Sequence, residues 1–445
     1  MICDYEIVTR HRKLMFDALE YIWRNPETGY KEWKTHRYLV SEFEALGYEL
    51  KLAGNIPGFT TLVDTGKPGP TIAIFGELDS LICETHPEAD KETGAVHACG
   101  HCAQCAALLG LAAALKEDGA LDGLCGKILL AVVPAEELIE VEFREELIKK
   151  GIIRYMGGKP EFMYRGLLDG VDMSFMVHTA SGDGVFAGIT GGSNGCLAKS
   201  FCFEGVASHA GGAPHRGVNA LYAANLAMNA INAIRETFED EDHIRVHPIV
   251  TFGGDAVNAI PETVKLESYV RGAKMEKIVA ANRKINRAIA ASAAALGANV
   301  RLKDIPGYWP RRYSFLGCRA VEDAFKSVLE DVRIESCWDG SCSDMGDVGA
   351  VMPALHPYVS GATGKDHGND YRISDPETAC VSSAKLQYAL LYLLLSDGAK
   401  RALEIIEDYK PNFDTMKEYF DYVDKVNIDC RAVAYGEGNR ITLDY

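Results

Sequence analysis

The chain has 445 residues, 47% hydrophobic and 24% charged, with a net charge of −17. That balance excludes disordered, collagenous and membrane-spanning classes, and an acidic surface repels phosphate backbones, so no nucleic-acid partner is expected. The length exceeds what one hydrophobic core usually fills, so more than one domain is expected.

The N-terminus, MICDYEIVTRHRKLMF, lacks a basic start followed by an apolar run, so it does not read as a secretory leader. Apolar residues then recur every three or four positions through about residue 50, which predicts helices. TIAIFG (71–76), KILLAVV (127–133) and DMSFMVH (172–178) are continuous apolar runs, typical of strands covered on both faces. Between the first two lies the Ala/Leu-rich AQCAALLGLAAALKEDG, a helix stopped at Asp118-Gly119. This β–α–β order predicts an α/β fold, with a mainly parallel (mixed) sheet sandwiched by helices.

The pattern changes near residue 190. A strand (GGSNGCLAKSFCFEG), a periodic helix (217–238), two strand-like segments and a second long helix (275–297) make an inserted α+β module. The expected division is therefore 1–188, first part of the catalytic domain; 189–304, the insert; and 305–445, the second part plus a C-terminal extension. ALHPYVSG reads as a late core strand and ETACVSSAKLQYALLYLLLSDG as a closing helix, while 400–445 is charged and carries no clear pattern. No run reaches the roughly 18 uninterrupted apolar residues of a membrane span, so no membrane is expected. The thirteen cysteines read as reduced thiols in a cytosol, with Cys196, Cys202 and Cys380 as small core residues, which makes the expected location cytoplasmic.

In open α/β sheets, ligands bind beyond the carboxyl ends of the strands. Here those ends carry acid–base and metal-type side chains. TIAIFG runs into Glu77 and Asp79, KILLAVV into Glu136-Glu137, MSFMV into His178, and ALHPYV, after a Gly-rich turn, leads to His367. The loop before the Ala-rich helix is HACGH, with Cys99 and His101 at i and i+2 around a glycine, where a turn can aim both at one ion. A helix N-terminus beside it favours a thiolate. Taken singly, each signal has a structural rival: a buried Cys with a capping His, a solvated acidic loop at Glu136-Glu137, or a core His178. The spacing Cys99-x-x-Cys102-x-x-Cys105 also admits an iron–sulfur cluster, but the further C-x₃-C-P of such runs is missing and Cys105 falls within the helix. His356 reads as core or as support for a ligand.

Taken in order, HACGH, PAEE (134–137), MVH (176–178), SHAGGAPHRGVNAL (208–221) and the loop around His367 resemble the aminoacylase family of co-catalytic metallopeptidases, within it the aminobenzoyl-glutamate, hippurate and auxin-conjugate hydrolases. The match runs from about residue 70 to 370. The resemblance implies five ligands, Cys99, His101, Glu137, His178 and His367, for two divalent ions, zinc or manganese with cobalt also possible. It implies Glu136 as the general base acting on a metal-activated water, and Asp79 as a carboxylate steadying a ligand. It makes the insert a lid or dimerisation domain carrying His209, which in the family reaches the substrate, typically across a dimer interface, and Asn258 and Arg271, which hold it. The implied activity is hydrolysis of the amide bond of an N-acyl or N-aroyl amino acid or small dipeptide, by a homodimer. The family's usual C-G-H-D-A-H is Cys99-Gly100-His101-Cys102-Ala103-Gln104 here, and the first acid of its D-M-D is Glu77. Those changes bear on second-layer support and leave a non-catalytic binding homologue as the alternative.

Overall fold

Parallel strands joined by buried crossover helices leave their carboxyl ends on one edge, and that edge organises the first part of this computed structural model. The structure describes residues 4–182, 184, 186–312, 314–329 and 332–445. Residues 71–77, 127–133 and 173–175 form strands, as their apolar runs predict. Their sheet runs in the order 51–52, 59–64, 127–133, 71–77, 173–175, 354–355. Strand 71–77 pairs in parallel with both 127–133 and 173–175, and 354–355 extends the parallel set. Strand 59–64 is antiparallel to 127–133, so the sheet is mixed.

Helix His101–Ala114 is buried along its whole length, because Ala, Leu and Gly present no polar face. It packs on strand 71–77 and against helices Arg12–Arg24 and Ser383–Leu395. The segment Glu377–Leu395 is long and apolar enough by composition to cross a membrane, but 78% of its most apolar window is buried within the protein. The ALHPYVSG run is broken at His356-Pro357 into two short strands, 354–355 and 358–363, which join different sheets. Proline lacks the amide donor that would continue the first strand.

The chain forms two compact units, one of residues 1–192, 311–339 and 343–416, the other of 193–310, 340–342 and 417–445. The second holds an antiparallel sheet in the order 245–246, 263–272, 195–204, 299–306, 428–431, with 249–252 also pairing 263–272. Helices Ala220–Ile234 and Met275–Ala295 pack on each other and on this sheet.

The C-terminal region departs from its expected place. Helix Lys400–Asp408 packs against helices of the first unit. From Lys417 onward the chain belongs to the second unit instead, because strand 428–431 pairs antiparallel with residues 301–304 and hydrogen bonds across that edge hold it. That pairing also makes residues 299–306 a central strand of the second unit.

Candidate metal centre

The carboxyl edge of the parallel strands gathers the acid–base side chains of the first unit. Strand 127–133 ends in Pro134, then Ala135 turns the chain with φ 57°, a left-handed conformation uncommon outside glycine. Its amide donates to the buried Glu32 at 2.8 Å, which holds the turn. The turn leaves Glu136 and Glu137 9% and 8% exposed, so they are not a solvated acidic loop, and 141–149 after them is a helix. Gly100, with φ 87°, supplies the bend between Cys99 and His101, and a Cβ there would lie 2.7 Å from the Tyr371 hydroxyl. His367 adopts φ 61° in its Gly-rich loop and donates its amide to the Ala98 carbonyl at 2.9 Å, pinning that loop to the HACGH segment.

Five scattered residues therefore meet. Cys99, His101 and His178 bring one ligand atom each within 4.8 Å of one another, and so do Cys99, Glu137 and His367. Cys99 belongs to both groups. Its Sγ lies 3.7 Å from Nε2 of His178, and Nε2 of His367 lies 3.3 Å from Oε1 of Glu137. The imidazoles are oriented from behind. Nδ1 of His178 is 2.7 Å from the Thr179 carbonyl and Nδ1 of His101 is 2.9 Å from that of Asp79, which puts the protons on Nδ1 and leaves Nε2 to ligate. Asp79 also accepts the Glu137 amide at 2.8 Å, tying two candidate ligands together.

The electrostatics match a cation site. Nε2 of His101 and Oε1 of Glu137 are buried and make no hydrogen bond, though they lie in ion-pair reach of Glu77 and of His367, respectively. Burial and the Glu137 charge push the Cys99 thiol up, but the imidazoles of His101 and His178 outweigh them and bring it down to about 6. Burial pushes Glu137 up as well, yet His367 and His101 hold it near 2. The thiolate and carboxylate raise His367 to about 11 against its burial. The cluster thus draws positive charge to itself, a demand that a divalent ion held there would meet in place of the imidazole protons. Glu136 differs: burial first, then Glu77, Glu137 and Asp344, push its carboxyl well above the usual range.

The departures from the family pattern have structural uses here. Gln104 accepts the Glu77 amide at 2.7 Å, Cys105 donates to the Glu77 carbonyl at 3.0 Å, and Cys102 is buried in the apolar core. Burial pushes Cys102 to about 12, so these two sulfurs serve packing rather than an iron–sulfur cluster. His356 is 7% exposed, its ring 5.7 Å from that of His178.

His209, Asn258 and Arg271 lie in the second unit. His209 is exposed, and its Nδ1 accepts the amides of Gly211 and Gly212 at 3.2 and 2.9 Å, which leaves Nε2–H as an outward donor. The Asn258 carbonyl accepts the amide of Ala210, so these two segments are neighbours. Arg271 sits near the far end of strand Thr263–Gly272, on the order of 25 Å from its start at about 3.3 Å per residue, with its guanidinium 5.2 Å from the Tyr269 ring. Within this unit it is therefore separated from the His209 pair.

Two residues that sequence reading passes over belong beside this cluster. Lys159 and Asp344 are both wholly buried, and the Lys159 ammonium donates to Glu77 and to Asp344. Nothing in the loop sequence Gly157-Gly158-Lys159 signals a buried lysine.

Comparison with known proteins agrees with this geometry. Residues 191–296 match the family described as a peptidase dimerisation domain. Over 408 residues the chain is 28% identical to the human Xaa-Arg dipeptidase, spanning 88% of this chain and 84% of that one. It is 31% identical over 232 residues to one of the two subunits of the Escherichia coli p-aminobenzoyl-glutamate hydrolase, about half of each chain (49% and 48%). A Bacillus subtilis dinuclear metal-binding peptidase of the M20 family shares the fold, with a TM-score of 0.64 at 19% identity over 88% of this chain and 99% of that one. The chain is a hydrolase by its similarity to named peptidases and amidohydrolases, one of which it matches over most of its length, and its residues 191–296 match a peptidase dimerisation domain.

Proposed function

We propose that the protein hydrolyses the amide bond of an N-acyl or N-aroyl amino acid, or of a small dipeptide, with two divalent ions and Glu136 as base. The observation that carries this reading is the meeting of Cys99, His101, Glu137, His178 and His367 around one thiolate, with Glu136 adjoining them. One ion would be held by Cys99, His101 and His178, the other by Cys99, Glu137 and His367. Thiolate and imidazole suit zinc, while the carboxylate admits manganese or cobalt. Such ions supply Lewis acidity, lowering the pKa of a water and polarising a carbonyl oxygen.

The chain's own groups do the rest. Glu136, whose carboxyl is pushed up by burial and by its acidic neighbours, takes a proton from the attacking water and returns it to the leaving nitrogen as the C–N bond breaks. Asp79 fixes the His101 tautomer and the Glu137 backbone. As substrate contacts we assign His209, whose Nε2–H suits a developing oxyanion, with Asn258 and Arg271; a guanidinium forks onto a carboxylate as an ammonium does not. The relatives' names support an amide beside a free carboxylate, since they include a dipeptidase, an indole-acetyl-aspartate hydrolase and an aminobenzoyl-glutamate hydrolase.

The working form is a homodimer. Ile249, Val250 and Phe252 are exposed on an edge strand of the second unit, and Tyr222 and Leu226, one turn apart, are exposed on helix Ala220–Ile234. The match to a dimerisation domain over 191–296 supports the same conclusion. We place the enzyme in the cytosol on its cysteine usage. A hydrolysis screen of N-acyl and N-aroyl amino acids, with chelator-treated protein as control, tests the activity. Glu136→Gln should retain both ions and lose about 10²–10⁴ in kcat; undiminished turnover would remove Glu136 from the mechanism.

A further inference from the structure

A third set of close side chains adjoins the two already assigned. Glu77, Glu136 and Asp344 bring carboxylate oxygens within 4.8 Å of one another, the same proximity that the two Cys99 groups show. All three are buried, and three buried carboxylates without a counter-charge are prohibitively costly. The fold answers with Lys159. Its Nζ donates to Glu77 Oε1 and Asp344 Oδ1, and its own amide donates to Asp344 Oδ2 at 2.9 Å. Its charge also acts on Glu136.

The backbone is shaped to bring the ammonium there. Gly158 packs so closely on the end of strand 127–133 that a Cβ would lie 1.7 Å from the Pro134 carbonyl oxygen. Only glycine allows helix Gly158–Tyr164 to start against the turn that carries Glu136, and Lys159 is the next residue. Asp344, at the start of helix Met345–Gly349, closes the other side.

An all-oxygen set of this kind suits hard cations such as Mn²⁺ or Mg²⁺. A metal there would take Glu136 as a ligand. We propose that Lys159 is a positioning residue that acts as a built-in cation: it fills a third cation site, confines divalent metal to the two sets around Cys99, and keeps metal off the Glu136 carboxylate. Three ammonium donors on a flexible stem can do this without the coordination demands of a metal. The inference rests on the two-metal reading of the adjoining site.

Metal counting tests it. Wild-type protein and Lys159→Met are stripped, dialysed against Mn²⁺, and assayed for bound metal by mass spectrometry and for bound Mn²⁺ by electron paramagnetic resonance. Lys159→Met should hold one equivalent more than wild type, with a lower kcat that worsens as Mn²⁺ rises. The double variant Lys159→Met/Glu77→Gln, which removes one charge of each sign, should return to the wild-type count. Equal counts in wild type and Lys159→Met, or a Lys159→Met chain that stays unfolded at millimolar Mn²⁺, overturns the proposal. A wild-type count of zero would instead overturn the two-metal reading, so the two failures are distinct.

Discussion

Arg144 offers a direct test of how the Glu136-Glu137 turn is held. It is fully buried, donates to the Glu137 carbonyl, and donates to the Met156 carbonyl at 2.9 Å. Its charge also moderates Glu32 and Glu140. Arg144→Met keeps most of the stem volume and removes the guanidinium. Two buried carbonyls then lose a donor, at about 1–3 kcal/mol each, and the nearby carboxylates lose their counter-charge. Relief of the guanidinium's own desolvation offsets part of this, leaving a loss of about 3–5 kcal/mol, the range for breaking a buried ionic contact. For a unit of this size that is roughly 10 °C in Tm at about 2–4 °C per kcal/mol. Metal affinity should fall about tenfold as the Glu137 backbone loosens. Scanning calorimetry of metal-free and metal-loaded protein reads the first quantity, and competition with a chromophoric chelator reads the second. A variant within about 1 kcal/mol of wild type by the same measurement would refute this account of the turn.

Three further outcomes are expected. Asp79→Asn should weaken divalent-metal binding about 10–100-fold in chelator competition, because the Asp79 carboxylate lies 3.2 Å from Nδ1 of His101 and accepts the Glu137 amide; unchanged affinity would show those contacts to be incidental. Ile249→Lys on the exposed edge strand should convert a dimer to a monomer in light scattering and move stability by no more than about 0.5 kcal/mol; a persistent dimer would put the interface elsewhere. His36 accepts the Gly58 amide on Nδ1 at 3.0 Å, and burial, aided by Arg37, lowers its pKa. The unfolded chain therefore binds the extra proton first, so the contribution of His36 to stability is present above about pH 6.5 and shrinks as pH falls. Relative to His36→Asn, wild type should lose stability between pH 7 and 5 by at most about 1.4 kcal/mol per pH unit, and a flat difference would exclude the mechanism.

The carboxyl-edge rule made the meeting of Cys99, His101, Glu137, His178 and His367 legible in the sequence. Glu137, His178 and Cys99 each follow an apolar strand or precede an apolar helix, and local sequence carries that signal. Lys159 and Asp344 were illegible for the opposite reason. Their contact spans 185 residues, and a lysine becomes a core residue only through partners that its own segment does not reveal. The tail shares that difficulty: the alternation in Ile428–Arg431 spans only four residues, and they form a strand because residues 301–304 offer them an edge. The acidic run after Glu137 supported a solvated loop as the rival reading only by composition, since VEFREELIK is a helix whose buried face includes an arginine.

The first unit is interrupted between residues 192 and 311, and its sites draw on both sides of the gap. During synthesis the ribosome delivers Glu77, Cys99, Glu137, Lys159 and His178 long before Asp344 and His367. Until then an ammonium destined for the interior lacks one of its two carboxylates, and the ion cluster lacks its last imidazole. Maturation must therefore be a late event in the life of the nascent chain, arriving only when the polypeptide has left the first unit, built most of a second, and come back.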